Sequence, residues 1–503
     1  MPETTLSVAP GIVQDNTYAA SQGRWIAGDK VRFEDGRAQS IGGWEAFVNG
    51  SLNGVARSAR AWTCAGQIDR AAFGEHDALE VVVGGQIFDI TPSAGFTAGD
   101  VDGLAGVGFG TGTYSGGTYG SGSGTASSPM IWALANWGQN LLAAPRRQGL
   151  FEWALDTAVV AAAVTGAPTD IQDMFVTPSR FVVLLGTTEE VSGTFNPRLV
   201  RWSDQEDNTG WTTVSTGEAG ELELQEGSRI VGGIAGTQEH LIWTDTSLFA
   251  MRQTFDDLIW GFPLVGRNCG LLGPNAMGQL GGAVYWMGHN GFYRYAGGAP
   301  EPIPSELDTE IFSNISPGQE EKCFCAVVDQ FNEIWWFYPD ERDGNEISRY
   351  VIYDVVEGVW SSGTMERTCW TDSAVFSSPI APDASGNVYL HETGASDNGG
   401  LMGASIESGL INIQDGENMV YIRGCMPDVQ GQTGGLQLTV FTRETARGAE
   451  RTFGPYSISS ATERVWFEAF GRFARFKVAG ASAPEFWRLG DMRFDIVPQG
   501  ARV

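Results

Sequence analysis

The sequence predicts an all-β protein, with an irregular β-propeller over residues 1–398 and a C-terminal β-sandwich, a docking domain, over residues 399–503. Three observations lead there. Aromatic and β-branched runs broken by Asn, Asp and Gly recur along the chain, whereas helical periodicity is scarce. Several intervals between turn centres are similar, at roughly 40–50 residues, the length of a propeller blade. Glycine is abundant, at 68 residues, without a collagen period, as expected of a chain with many tight turns between short strands.

The strand signals run in order through VRFEDGRAQSIGGW, LEVVVGGQIFDITP, HLIWTDTSLFAM, AVYWMGHNGFYRYAGG, NEIWWFYPD and RYVIYDVVEGVW. Each reads as a strand or as strand, turn, strand. Turn centres fall near Gly36, Gly84, Gly138, Ser179, Asp245, Asn290, Asn332 and Gly386. No sharp repeat recurs, so the blades are expected to be irregular. Residues 103–128 are an uncharged Gly, Ser, Thr and Tyr tract that cannot supply a core and reads as an insertion. Its Tyr114 and Tyr119 are candidate packing or gate residues. The one helix expected is short, capped by Ser305 and ending at Ile311, with Glu306 and Asp308 in its first turn. A glycine-rich break follows His391. Beyond it LQLTVFTRE, VWFEAF, RFARFKVAG and MRFDIVP alternate as sandwich strands do.

The 503 residues carry 60 acidic and 31 basic side chains, a net charge of −29. Such a chain lacks the clustered cations that grip phosphates. Its charge suits a soluble surface or a conduit past which DNA slides. Basic residues gather in one region: Arg464, Arg472, Arg475, Lys477, Arg488 and Arg493 form a candidate interface toward an acidic neighbour. The segment RFARFKV is read as placing aromatics on one side and cations on the other. The six cysteines include a close pair, Cys323 and Cys325, but C-x-C alone is a poor zinc pattern, and reduced packing thiols are expected. The opening MPETTLSVAP has no basic and apolar leader pattern, and no run is long and apolar enough for a membrane helix. A reducing cytoplasm is the expected folding compartment, with no membrane segment.

Catalytic signals are missing. The four histidines are scattered, and no metalloprotease helix, nucleophile elbow or phosphate loop occurs. The DERDGNE tract is rich in oxygen ligands but lacks calcium-loop spacing, and reads as a turn. In RWSDQEDNTGW, Asp204 and Asp207 lie between Trp202 and Trp211, which a glycosidase cleft would also need. A turn-rich connection with core tryptophans is the simpler reading. The 17 tryptophans have no interleaved cations for stacking nucleic acid and suit packing between blades. No catalytic, cofactor-binding or metal residue is assigned, no cofactor is expected, and the chain is not expected to be an enzyme.

These motifs also carry a resemblance. GDKVRFEDGRAQSIGGW (Gly28 to Trp44), FDITP (Phe88 to Pro92), RWSDQEDNTGW (Arg201 to Trp211), YWMGHNGFYRYAGG (Tyr285 to Gly298), EIWWFYPD (Glu333 to Asp340) and WRLGDMRFDIVPQGAR (Trp487 to Arg502) resemble, in order and spacing, the tail nozzle or hub proteins of short-tailed bacteriophages, also known as packaged-DNA stabilisation proteins. The resemblance covers nearly the whole chain. It implies a structural protein of the virion tail, made in the host cytoplasm. It further implies a hexameric ring of irregular β-propellers below the portal and its adaptor, closed underneath by a needle, plug or spike and associated with fibre proteins. Viral DNA is retained behind such a ring and ejected through it without specific binding. The alternative is a virion-associated β-propeller that binds or hydrolyses glycans.

Overall fold

The computed structural model describes residues 4–16, 20–104, 127–214, 217–237, 239–254, 259–412, 419–445 and 447–499. Its architecture is all-β, with a single short α-helix, Asp308–Phe312, among the described residues. That helix starts later than Ser305, whose hydroxyl instead accepts a hydrogen bond from the Leu307 amide at 3.0 Å.

Seven small antiparallel sheets follow one another along the chain and make an irregular propeller. Blade 1 comprises Ala56–Cys64, Ile68–Glu75, Leu79–Val83 and Gln86–Asp89, and blade 2 Trp132–Trp137, Asn140–Pro145, Phe151–Trp153 and Ala162–Ala163. Blade 3 runs from Ile171–Val176 to Gly220–Glu223, and blade 4 is built on Ile230–Ile234, His240–Thr244 and Ser247–Gln253. Blade 5 runs from Met277–Leu280 to Glu301–Ile303, and blade 6 from Phe324–Val328 to Val359–Thr364. Within each blade, sequence-adjacent strands pair through tight turns, so local hydrogen bonding follows chain order. Large aromatics fill the space between twisted blades. Trp243 of blade 4 meets Trp286 of blade 5 at 5.3 Å between ring centroids, and Phe292 of blade 5 meets Trp336 of blade 6 at 4.7 Å.

Blade 7 is assembled from both halves of the chain. Ile380–Pro382 pairs with Asn387–His391, which pairs in turn with Trp44–Ser51 in the register His391 to Trp44 and Tyr389 to Ala46. An early strand thereby completes the last blade and leaves fewer exposed edges. Gly42 and Gly43 bring the chain in: a Cβ on Gly43 would sit 2.5 Å from the Ser396 carbonyl oxygen.

The chain ahead of that strand belongs with the C-terminal region. Where the sequence reading placed residues 1–398 together, strand pairing puts residues 4–40 with the sheets of residues 405–499. Thr4–Leu6 pairs with Met492–Gln499, and Arg24–Asp29 pairs with Ser405–Ser408. Arg37–Ser40 meets Phe486–Leu489 through Gln39 and Arg488. The strong alternation of Leu436–Arg443 and Val465–Gly471 buries every second side chain, the pattern of a sheet with one face in the core. Arg32 fastens the two regions together. Fully buried, it bonds Glu333 of blade 6 at 2.9 and 3.0 Å and Glu392 at 2.7 and 2.9 Å. Burial of Glu333, with Glu392 nearby, raises its pKa to about 7 in spite of Arg32.

Candidate functional site

The six cations of the candidate interface lie on three different sheets. Arg464, just before Val465–Gly471, and Arg493, on Met492–Gln499, share the four-stranded sheet. Arg475 and Lys477 lie on Phe473–Gly480 in the seven-stranded sheet, Arg472 stands just before that strand, and Arg488 belongs to the third sheet. Their environments differ as much as their positions. Arg475 is buried, donates to Glu450 at 2.6 and 2.9 Å, pairs with Glu407, and stacks over Phe441 at 4.0 Å. Arg488 bonds Asp35 at 2.8 Å, and Arg464 lies 3.9 Å from Asp495. Arg472, Lys477 and Arg493 make no ion pair among the described residues.

The facing expected for RFARFKV is corrected by the strand itself. Ala474, Phe476 and Val478 enter the core, whereas Phe473, Arg475 and Lys477 share the other face. A period of two cannot put Phe473 and Phe476 on one side, because they are three residues apart.

The outward face that does form was not foreseen. On Val465–Gly471, Trp466 is 66% exposed and Phe470 43% exposed. Arg464 stacks over Trp466 at 4.7 Å, and Arg451 over Phe470 at 4.6 Å. Such exposed aromatics under guanidinium groups are suited to contact with another macromolecule. The signal in VWFEAF was ambiguous, because both of its alternating faces carry an aromatic.

A second constellation lies on the propeller axis. Glu321 bonds Arg229, of the segment entering blade 4, at 2.6 Å, and also Arg146 of blade 2. Lys322 reaches Asp102 at 2.6 Å and the Asn345 carbonyl at 2.7 Å. Arg57 of blade 1 donates to Glu346 of blade 6 at 2.6 Å. Side chains of blades that are not neighbours can meet only near the axis, so this network caps one end of the central space. Burial pushes the Glu321 carboxyl up, but Arg146 and Arg229 outweigh it and hold the pKa at about 2.

The described residues at either end of the glycine- and tyrosine-rich tract meet at this cap. Leu104 and Ser127 bridge its base, and the Gln319 amide accepts from the Gly103 N–H at 3.0 Å while donating to its carbonyl at 2.6 Å. Tyr114 and Tyr119 lie outside the described residues.

Beyond the cap is a cavity of about 540 Å³ lined by the inner edges of blades 1 to 6, among them Arg60, Asn136, Asp173, Ile234, Met277 and Cys325, and by Trp370 of the segment ahead of blade 7. The remaining sequence candidates are taken up structurally. Asp204 accepts from the Glu218 and Ala219 amides, and Asp207 from the Thr209 amide. Trp202 and Trp211 are buried and donate to backbone carbonyls. In the DERDGNE turn, Asp340 is held by Arg342 at 2.6 Å and by Arg349 at 3.2 Å. All six cysteines are free thiols, and no cluster of potential metal ligands occurs among the described residues.

No known protein family and no curated protein matches the chain. Among solved structures it is similar to "Structure of U3-55K", at 8% identity and a TM-score of 0.40, over 69% of this chain and 98% of that one. It is also similar to a chain of "Crystal Structure of Mitotic Checkpoint Complex", at 8% identity and a TM-score of 0.39, over 68% of this chain and 97% of that one.

Proposed function

We propose that this protein is the tail nozzle of a short-tailed bacteriophage, a non-catalytic virion component. In this reading it forms a ring, as a hexamer, below the portal and adaptor and lines the channel through which the genome leaves. The reading rests on the ordered motifs from Gly28 to Arg502. The observation that carries its assembly side is the outward face of Trp466, Phe470, Arg464 and Arg451 on the four-stranded sheet. The exposed rings flank Glu468 on one face and are suited to burial against another copy or an adaptor, with Arg464 and Arg451 at the rim. The rest of the acidic surface would let DNA pass, with repulsion reaching only about 8–10 Å at physiological salt. The segment 103–128 is assigned to subunit packing or gating, since its base is fixed at the axial cap.

Electron microscopy of the purified protein, alone and mixed with its adaptor, tests the reading. Closed rings are expected, and their loss on Trp466→Ser with Phe470→Ser would assign the contact to this face. A protein that stays monomeric under both conditions would overturn the proposal. No observation favours the glycan-processing alternative, because Asp204 and Asp207 are engaged by backbone amides. Turnover of peptidoglycan or capsular polysaccharide would restore it.

A further inference from the structure

The central cavity has hydrogen-bond donors that nothing satisfies. Arg57 is buried, and its Nε has no partner although its terminal nitrogens bind Glu346 and the Val101 carbonyl. Asn136 presents an unpaired Nδ2, because its oxygen is taken by Arg60 Nε at 2.8 Å. Trp370 presents an unpaired indole Nε1. All of these residues line the one cavity, together with Arg180, which stacks on Trp137 at 4.8 Å. Neither Arg60 nor Arg180 has an ion-pair partner within reach among the described residues.

The acceptors at the cavity wall are largely engaged. Ser58 donates to the Trp132 carbonyl, and Asp173 accepts from the Gly233 amide at 3.0 Å. Burial raises Asp173 to about 7, which reduces its worth as a counter-charge near neutral pH. Asp372 is the other carboxylate that acts on Arg60, and surrounding protein still lowers the arginine's pKa. Arg60 and Arg180 are exposed to the water of this cavity, whereas Arg57 is buried with its Nε unpaired. Two exposed guanidiniums without an ion pair, beside buried donors that lack an acceptor, together suit an acceptor with negative charge. The volume is that of a small-molecule pocket, in the general range of about 300–1,000 Å³.

We propose that the central cavity binds a small organic anion through a phosphate or carboxylate group, with Arg60 and Arg180 supplying charge and Asn136 and Trp370 supplying neutral donors. The site is independent of the nozzle reading, and it belongs to the monomer whatever the ring state.

Calorimetric titration of the full chain with inorganic phosphate and with citrate, at constant ionic strength, tests this. At least one anion is expected to bind with a stoichiometry of one. Arg60→Gln should weaken it about tenfold or more, as loss of a charge-assisted bond does. Arg180→Gln should weaken it in the same direction. Arg493→Gln, on the exposed sheet, should leave the affinity unchanged. Circular dichroism establishes that each variant is folded; if Arg60→Gln is not, Arg60→Lys and Arg180→Gln carry the test. Preference for phosphate over citrate, or the reverse, identifies the chemistry. Failure of both anions to bind the wild-type chain, or undiminished affinity in the folded cavity variants, would overturn the proposal.

Discussion

Arg475 and Arg472 are three residues apart and are predicted to behave oppositely. Arg475 is held between Glu450 and Glu407 in a buried position. Arg475→Glu would gather three carboxylates there, and a loss of about 3–5 kcal/mol is expected, as for other broken buried pairs. Arg472→Glu should stay within about 0.5 kcal/mol, the range of surface changes. Thermal melts of the two variants check this, and equal melting temperatures would refute it. Glu321 gives a pH signature. Its carboxyl sits near 4.5 in the unfolded chain and at about 2 in the fold. The stabilisation is thus complete above about pH 4.5 and is lost as the pH falls toward 2, by a few kcal/mol in all. Denaturant midpoints measured from pH 5 to 2 should fall in the wild type and fall less in Glu321→Gln. At this scale the sequence displayed which residue types were present, and the concentration of cations near the C-terminus was legible. Their partners were not: Glu407 and Glu450 reach Arg475 only through the pairing of distant strands.

At the scale of elements, single strands were legible because alternation and turn residues are local. The recurrence was legible for a less direct reason. Gly138 and Ser179 lie between the first and second strands of their blades, whereas Asp245 and Asn290 lie between the second and third. Each blade supplies a strong turn, though not the same one, so the interval survives while the sequence repeat does not. Gly36 belongs to no blade and turns the hairpin Val31–Glu34 to Arg37–Ser40. The completion of blade 7 was invisible for the same reason, since nothing local in Trp44–Ser51 names Asn387–His391 as its partner. The structure predicts that this seam is sensitive. Gly43→Ala would push a methyl group into the Ser396 backbone, and overpacking of this kind costs about 1–3 kcal/mol. A lower midpoint in chemical denaturation is expected for Gly43→Ala. It should be absent for Gly291→Ala, because open space surrounds that position and its φ is not positive.

For the whole molecule, the main core decides how many units unfold. One continuous cluster joins Trp243, Trp286 and Trp336 of the blades to Ile406, Val440, Phe476 and Trp487 of the terminal sheets. Scanning calorimetry is therefore expected to show one dominant transition. Two well-separated transitions would contradict a shared core. The boundary near residue 398 was read from glycine composition, which marks a change of element but not which sheets the flanking strands join. Net charge was legible at once and bears on nucleic acid. With 60 acidic and 31 basic residues, the isolated protein should give no gel shift with duplex DNA at physiological salt. Micromolar or tighter binding would contradict the proposed slippery channel.

The seam of blade 7 also sets a timetable. Trp44 donates its indole N–H to Asp397 at 2.6 Å, across 353 residues of chain. At about 5–20 residues per second, roughly 20–70 s of synthesis separate one side of that contact from the other. Throughout that interval the strand Trp44–Ser51 has been made and its partner has not. Blades 1 to 6 can form in turn as they emerge, but the ring stays open until the last of them has left the ribosome. Each nascent chain thus carries an unpaired β-edge for most of its production, and neighbouring chains on one message are the nearest competitors for it.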